Sequence, residues 1–225
     1  GLIHGRNLDY DSYGTFDQHP VMLYFLPNAP SEQAYMSVTS TGIHTAGITA
    51  MNESGIVLTL HQAMVDETTR HGPPVLGVTE RVVRQARTLE EAAQLIQASR
   101  FAGAWRIIVS SVNEGTAATF EVSARGVERI SMTANALVET NHAMTESMRR
   151  REFSLSFQYF EDTRLRRRAL ESKLSTIARP GVQDVLDLVS GTTSEGVERT
   201  HHGIPAKMNN IQSVIFDGAA GLVWM

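Results

Sequence analysis

Short runs rich in apolar and β-branched residues recur along residues 21–60, and their spacing constrains the fold more than any other feature. Residues 21–26 form a continuous apolar run stopped by Pro27. Runs at 34–40, 47–51 and 56–60 follow, the last after the turn Asn52-Glu53-Ser54-Gly55, whose glycine tolerates a positive φ. Segments this short, bounded by turn residues, predict an antiparallel sheet. The period then changes. Val78, Val82 and Val83 recur at helical spacing. Thr88-Leu89-Glu90-Glu91 reads as a capping box in which Thr88 and Glu91 satisfy each other's orphan amides, with Ala92, Leu95 and Ile96 as the apolar face behind it. Strands resume at 105–110, 117–122 and 127–131, joined by Asn113-Glu114-Gly115 and Ala124-Arg125-Gly126 turns. Helices are expected at 163–178 and 182–189, and two last strands at 213–216 and 222–225 flank an Asp217-Gly218 turn. Strands, a helix pair, strands, a helix pair and strands again predict an α+β fold: two mainly antiparallel sheets covered by two helical layers.

At 225 residues, 42% of them hydrophobic, the chain is large enough to bury one substantial core. No repeat, low-complexity tract or long linker divides it, so residues 1–225 are expected to form one domain. The formal net charge of -4 argues against a general electrostatic grip on nucleic acid or on an acidic membrane surface. The arginines at 149–151 and 164–168 read as a solvated basic face. No apolar run approaches the length that spans a bilayer. There is no cysteine, which excludes disulfides and thiolate metal sites within these residues and leaves the redox compartment open. The chain opens on Gly1 and stops inside an expected strand at Trp224-Met225, so both ends are expected to be trimmed.

Familiar site motifs fail. There is no GxSxG elbow, HExxH helix, P-loop or GxGxxG turn. Asn7, Asp9 and Asp11 alternate like the start of a calcium loop, but Ser12 and Gln18 stand where glycine and glutamate are required. His201-His202 lacks a carboxylate at ligand spacing, and adjacent histidines on a strand point apart. What remains is a set of separated polar segments. In His4-Gly5-Arg6-Asn7-Leu8-Asp9-Tyr10, Arg6 and Asp9 sit at a strand end where a donor fork and a carboxylate face one pocket or pair at the surface. His61 closes the apolar run that follows the NExG turn. Glu139-Thr140-Asn141-His142 follows an apolar run, and Asn141 either aims its amide at a developing oxyanion or caps the next helix. Asp162-Thr163-Arg164-Leu165-Arg166 opens the helix expected at 163.

Together, in this order and at these separations, the GRNLDY, NExG and TNH segments resemble the acyl-coenzyme A:6-aminopenicillanic acid acyltransferase family. That family is a branch of the choloylglycine hydrolase and penicillin V acylase group of Ntn hydrolases. The resemblance covers essentially the whole chain and implies a four-layer αββα sandwich. It also implies a mechanism in which a cysteine, freed as the N-terminus by self-cleavage, attacks an amide carbonyl while its own α-amino group serves as base. On that resemblance Arg6 and Asp9 flank and orient the cysteine, and Asn141 orients its amino group. His61 stands where relatives place an oxyanion-hole residue, with Gln62 as the neighbouring alternative. Arg166 matches the remaining arginine of the pattern, with Arg164 and Arg167 competing for it. The nucleophile itself has no counterpart here: in relatives it precedes the GRN segment, where only residues 1–4 stand. It is therefore expected upstream of Gly1; the alternative is a catalytically inactive member that binds small acylated ligands. The implied partner is a small acyl-amide, and no cofactor or metal is implied. Segments 62–74 and 144–161 are candidate walls of an acyl pocket.

Overall fold

The computed structural model describes residues 1–9, 16, 18–42, 47–133, 136–153, 157–193, 196–197 and 210–225. The chain enters through β1 (Ile3–Asp9) and then lays down β2 (Pro20–Phe25), β3 (Tyr35–Ser40), β4 (Thr49–Asn52) and β5 (Ile56–Gln62). Helices α1 (Val75–Gln85) and α2 (Leu89–Gln97) intervene before β6 (Trp105–Ser111), β7 (Thr116–Ser123) and β8 (Gly126–Ser131). A short α3 (Glu146–Arg149), the long α4 (Phe157–Ser175) and α5 (Val182–Ser190) follow, then a small hairpin of β9 (Thr192–Thr193) and β10 (Gly196–Val197). The last strands are β11 (Asn210–Asp217) and β12 (Leu222–Trp224).

Strands β2 to β8 form a seven-stranded antiparallel sheet in chain order, while β1 pairs with β11 and β11 with β12 in a second, three-stranded antiparallel sheet. The α+β expectation is met by two sheets packed face to face. Helices α1 and α2 cover the outer face of the larger sheet, and α5 covers β1 and β11. Under α1 and α2 the core is apolar: Leu58, Val82, Val83, Ile96, Ile107 and Phe120 are fully buried in one cluster. Each such side chain contributes about 1.5–3 kcal/mol by leaving water. Between the sheets, Val38 and Val57 meet Val214 and Phe216.

Several local expectations need correction. Helix α4 begins at Phe157 instead of 163. Asp162 and Thr163 look like cap residues, but Asp162 pairs with Arg166 (3.0 Å) and the Thr163 hydroxyl accepts the amide of Asn141 (2.7 Å). The capping box is only half formed. Thr88 accepts the Glu91 amide (3.1 Å), whereas the Glu91 carboxylate takes the amide of Arg87 instead of Thr88. The last hairpin turns after Asp217 as expected, with the positive φ on Gly221. The pair His201-His202 lies outside the described residues, as do Asp11 and Ser12 of the discarded calcium pattern.

Two motif residues prove to be structural. Asn52, at the head of the NExG turn, is 3% exposed. Its amide donates to the carbonyls of Val83 (2.9 Å) and Ala86 (2.7 Å) at the end of α1, and its Oδ1 accepts the amides of Ser54 (3.1 Å) and Ile56 (2.9 Å). It thereby shapes the β4–β5 turn and fastens α1 to the sheet. Gly5 has a packing role, because a Cβ there would stand 2.5 Å from Cγ1 of Val185 and 3.1 Å from Cγ1 of Val189 on α5. Asn52→Ala would take a donor from the buried Val83 carbonyl and leave the Ala86 carbonyl to Gln33 alone, a loss of about 1–3 kcal/mol. Gly5→Ala is expected to cost about 1–3 kcal/mol, since stiff valines on a packed helix yield poorly. Urea denaturation of both variants, read by circular dichroism, checks these values; an unchanged midpoint for either would contradict the role given to it.

Candidate active site

Strand β1 lies against β11, and its alternation sends His4 and Arg6 into the interior. The Asn7 side chain takes the other direction: its amide donates to the carbonyl of Val189 (2.5 Å) and its Oδ1 accepts the Ser213 hydroxyl (2.8 Å). These bonds lock β1 to α5 and β11. Where the two sheets diverge at the end of β1, a cavity of about 820 Å³ opens. Arg6, Asp9, His61, Asn141 and Arg166 all border it. Five residues from four segments far apart in the chain thus converge on one space.

The interior partners of Arg6 explain its orientation. One terminal nitrogen donates to the Thr49 hydroxyl on β4 and the other to the carbonyl of Leu60 on β5 (3.1 Å). Burial lowers its pKa to about 10, opposed by the nearby Asp9 carboxylate, so it stays cationic at neutral pH. His61 has its pKa driven well below the usual imidazole value, first by burial and then by Arg6, Arg106 and Arg166. It is therefore a neutral ring, able to donate one N–H and accept at the other nitrogen. Gln62 also borders the cavity, and its backbone carbonyl accepts Nδ2 of the Asn141 side chain (3.4 Å).

Among the three competing arginines the geometry is distinct. Arg166 borders the cavity, 7% exposed, with Nε on Asp162 and a terminal nitrogen donating to Oδ1 of Asn141 (3.1 Å). Arg164 stands over the Phe160 ring near Glu152, and Arg167 pairs with Glu171. The arginine run on α4 is thus not a uniformly solvated face, because Arg166 points inward. Tyr159, Arg166 and Leu170 recur at helical spacing and give α4 one cavity-facing side. Of segment 144–161, Tyr159 reaches the cavity, whereas Met148 packs with Ala63, Val65 and Ala143. Of segment 62–74, Gln62 and Pro74 reach it. The remaining wall includes Leu8, Leu76, Trp105 and Val189, so apolar and polar groups share the space. Among the described residues no group of histidines and carboxylates is arranged to hold a metal ion, and no helix is long and apolar enough to cross a membrane.

Sequence reasoning missed a buried polar layer behind this cluster. His4 sits between the sheets, its ring nitrogens on Ser110 (2.5 Å) and Thr59 (3.2 Å), with Phe216 edge-on at 6.2 Å. Arg106 on β6 is fully buried and faces Glu121 on β7. An arginine among the apolar residues of the 105–110 run, with a glutamate at the matching place in 117–122, was the available signal.

Two such sheets in antiparallel register, with helices outside and a polar cluster at one end, define an Ntn-hydrolase-type sandwich. The family model for acyl-coenzyme A:6-aminopenicillanic acid acyl-transferase matches residues 1–225, and the chain belongs to that family. Among solved structures, it is similar to the N-acylethanolamine-hydrolyzing acid amidase ortholog of Caenorhabditis elegans. That match has a TM-score of 0.61 at 18% identity and covers 99% of this chain and 94% of the other. It is also similar to a cysteine-to-alanine mutant of conjugated bile acid hydrolase from Clostridium perfringens, with a TM-score of 0.58 at 12% identity, covering 98% and 84%. An arginine-to-leucine variant of the same hydrolase gives 0.55 at 11% identity, with the same coverage. At these identities the likeness is one of fold. No protein of curated function matches the chain in sequence.

The buried histidines generate a pH prediction. Burial, reinforced by Arg6 for His4 and by Arg106 for His142, lowers both pKa values from 6.5 to about 4. Between these limits the unfolded chain holds protons that the folded chain lacks. Stability should therefore be full above pH 6.5 and fall as pH drops toward 4, by up to about 1.4 kcal/mol per pH unit for each histidine. Urea midpoints from pH 8 to 4 test this, and His4→Gln should flatten the decline.

Proposed function

We propose that this chain is the body of an Ntn-type amide hydrolase or acyltransferase acting on a small acylated amide, through the thiol of an N-terminal cysteine contributed by sequence outside these 225 residues. The observation that carries the reading is the convergence of Arg6, Asp9, His61, Asn141 and Arg166 on one cavity, with apolar wall beside them. Family membership supports the reaction class. The structural relatives are named as hydrolases of N-acylethanolamines and of conjugated bile acids, the first of them an amidase.

In this reading the thiolate attacks the amide carbonyl carbon, and the carbonyl π electrons move onto oxygen. The oxyanion collapses, the C–N bond breaks, and the amine departs with a proton from the cysteine's α-ammonium group. The thioester left behind is opened by water, giving a carboxylic acid, or by an acceptor amine, giving a new amide; the thiol is regenerated in either case. Arg6, a buried cation, holds the thiol pKa down. Asp9 accepts from the α-amino group. Asn141, held by Arg166, orients that group beside the nucleophile. The neutral ring of His61 is suited to donate its N–H to the oxyanion without giving up a proton. No cofactor takes part.

The test uses the full-length protein with N-acylated amines as substrates, following amine release and iodoacetamide labelling. Turnover together with labelling of a single N-terminal cysteine is the expected outcome. Asp9→Asn and Asn141→Ala should each lower kcat by about 10²–10³-fold, as loss of preorganised polar groups does. Arg6→Gln should slow alkylation at pH 7 while leaving it unchanged at pH 10. A full-length protein that binds acyl-amides without releasing amine would instead be a binding protein, and the proposal would fall.

A further inference from the structure

Residues 139–145 carry Asn141 to the cavity, and the manner in which they are held is unusual. Arg106 is 0% exposed, lying on β6 directly opposite His61 of β5 and Glu121 of β7. One of its terminal nitrogens donates to the carbonyls of Thr140 (2.7 Å) and His142, and the other to the Glu139 carboxylate. Its Nε faces Oε1 of Glu121 at 3.4 Å. Glu121 in turn accepts the amides of Met144 (2.6 Å) and Thr145 (2.9 Å) and the Thr145 hydroxyl (2.5 Å). The cation thus takes the loop's carbonyls and the anion takes its amides. Asn141 stands between the two gripped carbonyls, its own amide on Thr163 and its side chain on Gln62 and Arg166.

We infer that Arg106, backed by Glu121, is a positioning residue. By bracketing Asn141 through the carbonyls on either side, it fixes the angle at which the Asn141 side chain enters the cavity. The inference rests on the catalytic role proposed for Asn141. A planar guanidinium is suited to this task, because it reaches several acceptors from one rigid fork; an ammonium of equal charge does not. One of its three nitrogens is spent wholly on the two backbone carbonyls beside Asn141, while the others face Glu139 and Glu121.

The experiment is a double-mutant cycle in the full-length protein, comparing Arg106→Lys, Asn141→Ala and the pair. Arg106→Lys should lower kcat by on the order of 10²-fold, as a small misplacement does, with KM within about threefold. In the Asn141→Ala background it should cost less than about twofold more, because it acts through that residue. Penalties that multiply, or a kcat for Arg106→Lys close to wild type, would overturn the inference. Hydrogen exchange supplies a readout independent of turnover. Amides of 140–145 should exchange faster in Arg106→Lys while β6 and β7 stay protected; uniform acceleration, or none, would also overturn it. Should Arg106→Lys fail to fold, Glu121→Gln keeps the shape and is held to the same two criteria. A wild-type protein without amide turnover, or an unimpaired Asn141→Ala, removes the functional reading alone, and the exchange pattern still decides whether Arg106 fixes the loop.

Discussion

A buried ion pair between neighbouring strands, Arg106 of β6 and Glu121 of β7, organises the end of the sandwich where the cavity opens. Two charges removed from water are costly unless their remaining donors and acceptors are satisfied. Here the satisfaction comes from the loop that leaves β8: carbonyls of Thr140 and His142 on the cation, amides of Met144 and Thr145 on the anion. The loop and the pair therefore require each other. Thr119 and Arg167 complete the surroundings of Glu139, whose carboxyl pKa is raised by burial despite the neighbouring arginine. Once the loop is held, helix α4 has a fixed surface to meet, and Thr163 and Arg166 reach Asn141 from it.

The two interiors of the molecule differ in chemistry, and this difference creates the cavity. Beneath α1 and α2 the packing is mainly aliphatic and aromatic, with Asn52 and Gln33 confined to the end of α1. Between the sheets an apolar patch of Val38, Val57, Val214 and Phe216 gives way to a polar band containing Thr49, Thr59 and Ser110. His4 and Arg6 can enter only along that band, since each needs acceptors or donors that hydrocarbon cannot supply. The polar band thus orients β1, and β1 presents Arg6 and Asp9 to the cavity. Gly5, between His4 and Arg6, lets α5 lie against the other face.

Much of this was legible in the sequence. The change of period from two to helical and back marked nearly every strand of the large sheet to within one or two residues, because those strands carry long apolar runs between turn residues. The helix at α4 was read too short, since Asp162 and Thr163 mimic a cap while serving tertiary partners. The NExG turn was legible as a hairpin but not as the anchor of α1, because the carbonyls of Val83 and Ala86 meet Asn52 only after the helix docks. Of the polar segments, the residues bordering the cavity could be named individually. Arg166 was separable from Arg164 and Arg167 only by the direction each takes from the helix.

By itself, then, the sequence determined the order and kind of the secondary elements, the family and the set of polar residues worth watching, since these depend on local periodicity and on motifs written in consecutive positions. It did not determine that Arg106 and Glu121 lie side by side in the interior or that they grip the chain on both sides of Asn141. Nor did it determine that His61 is a neutral ring among buried cations. Register between strands and the dielectric around each group decide those matters. Both arise only when distant segments pack together and exclude water.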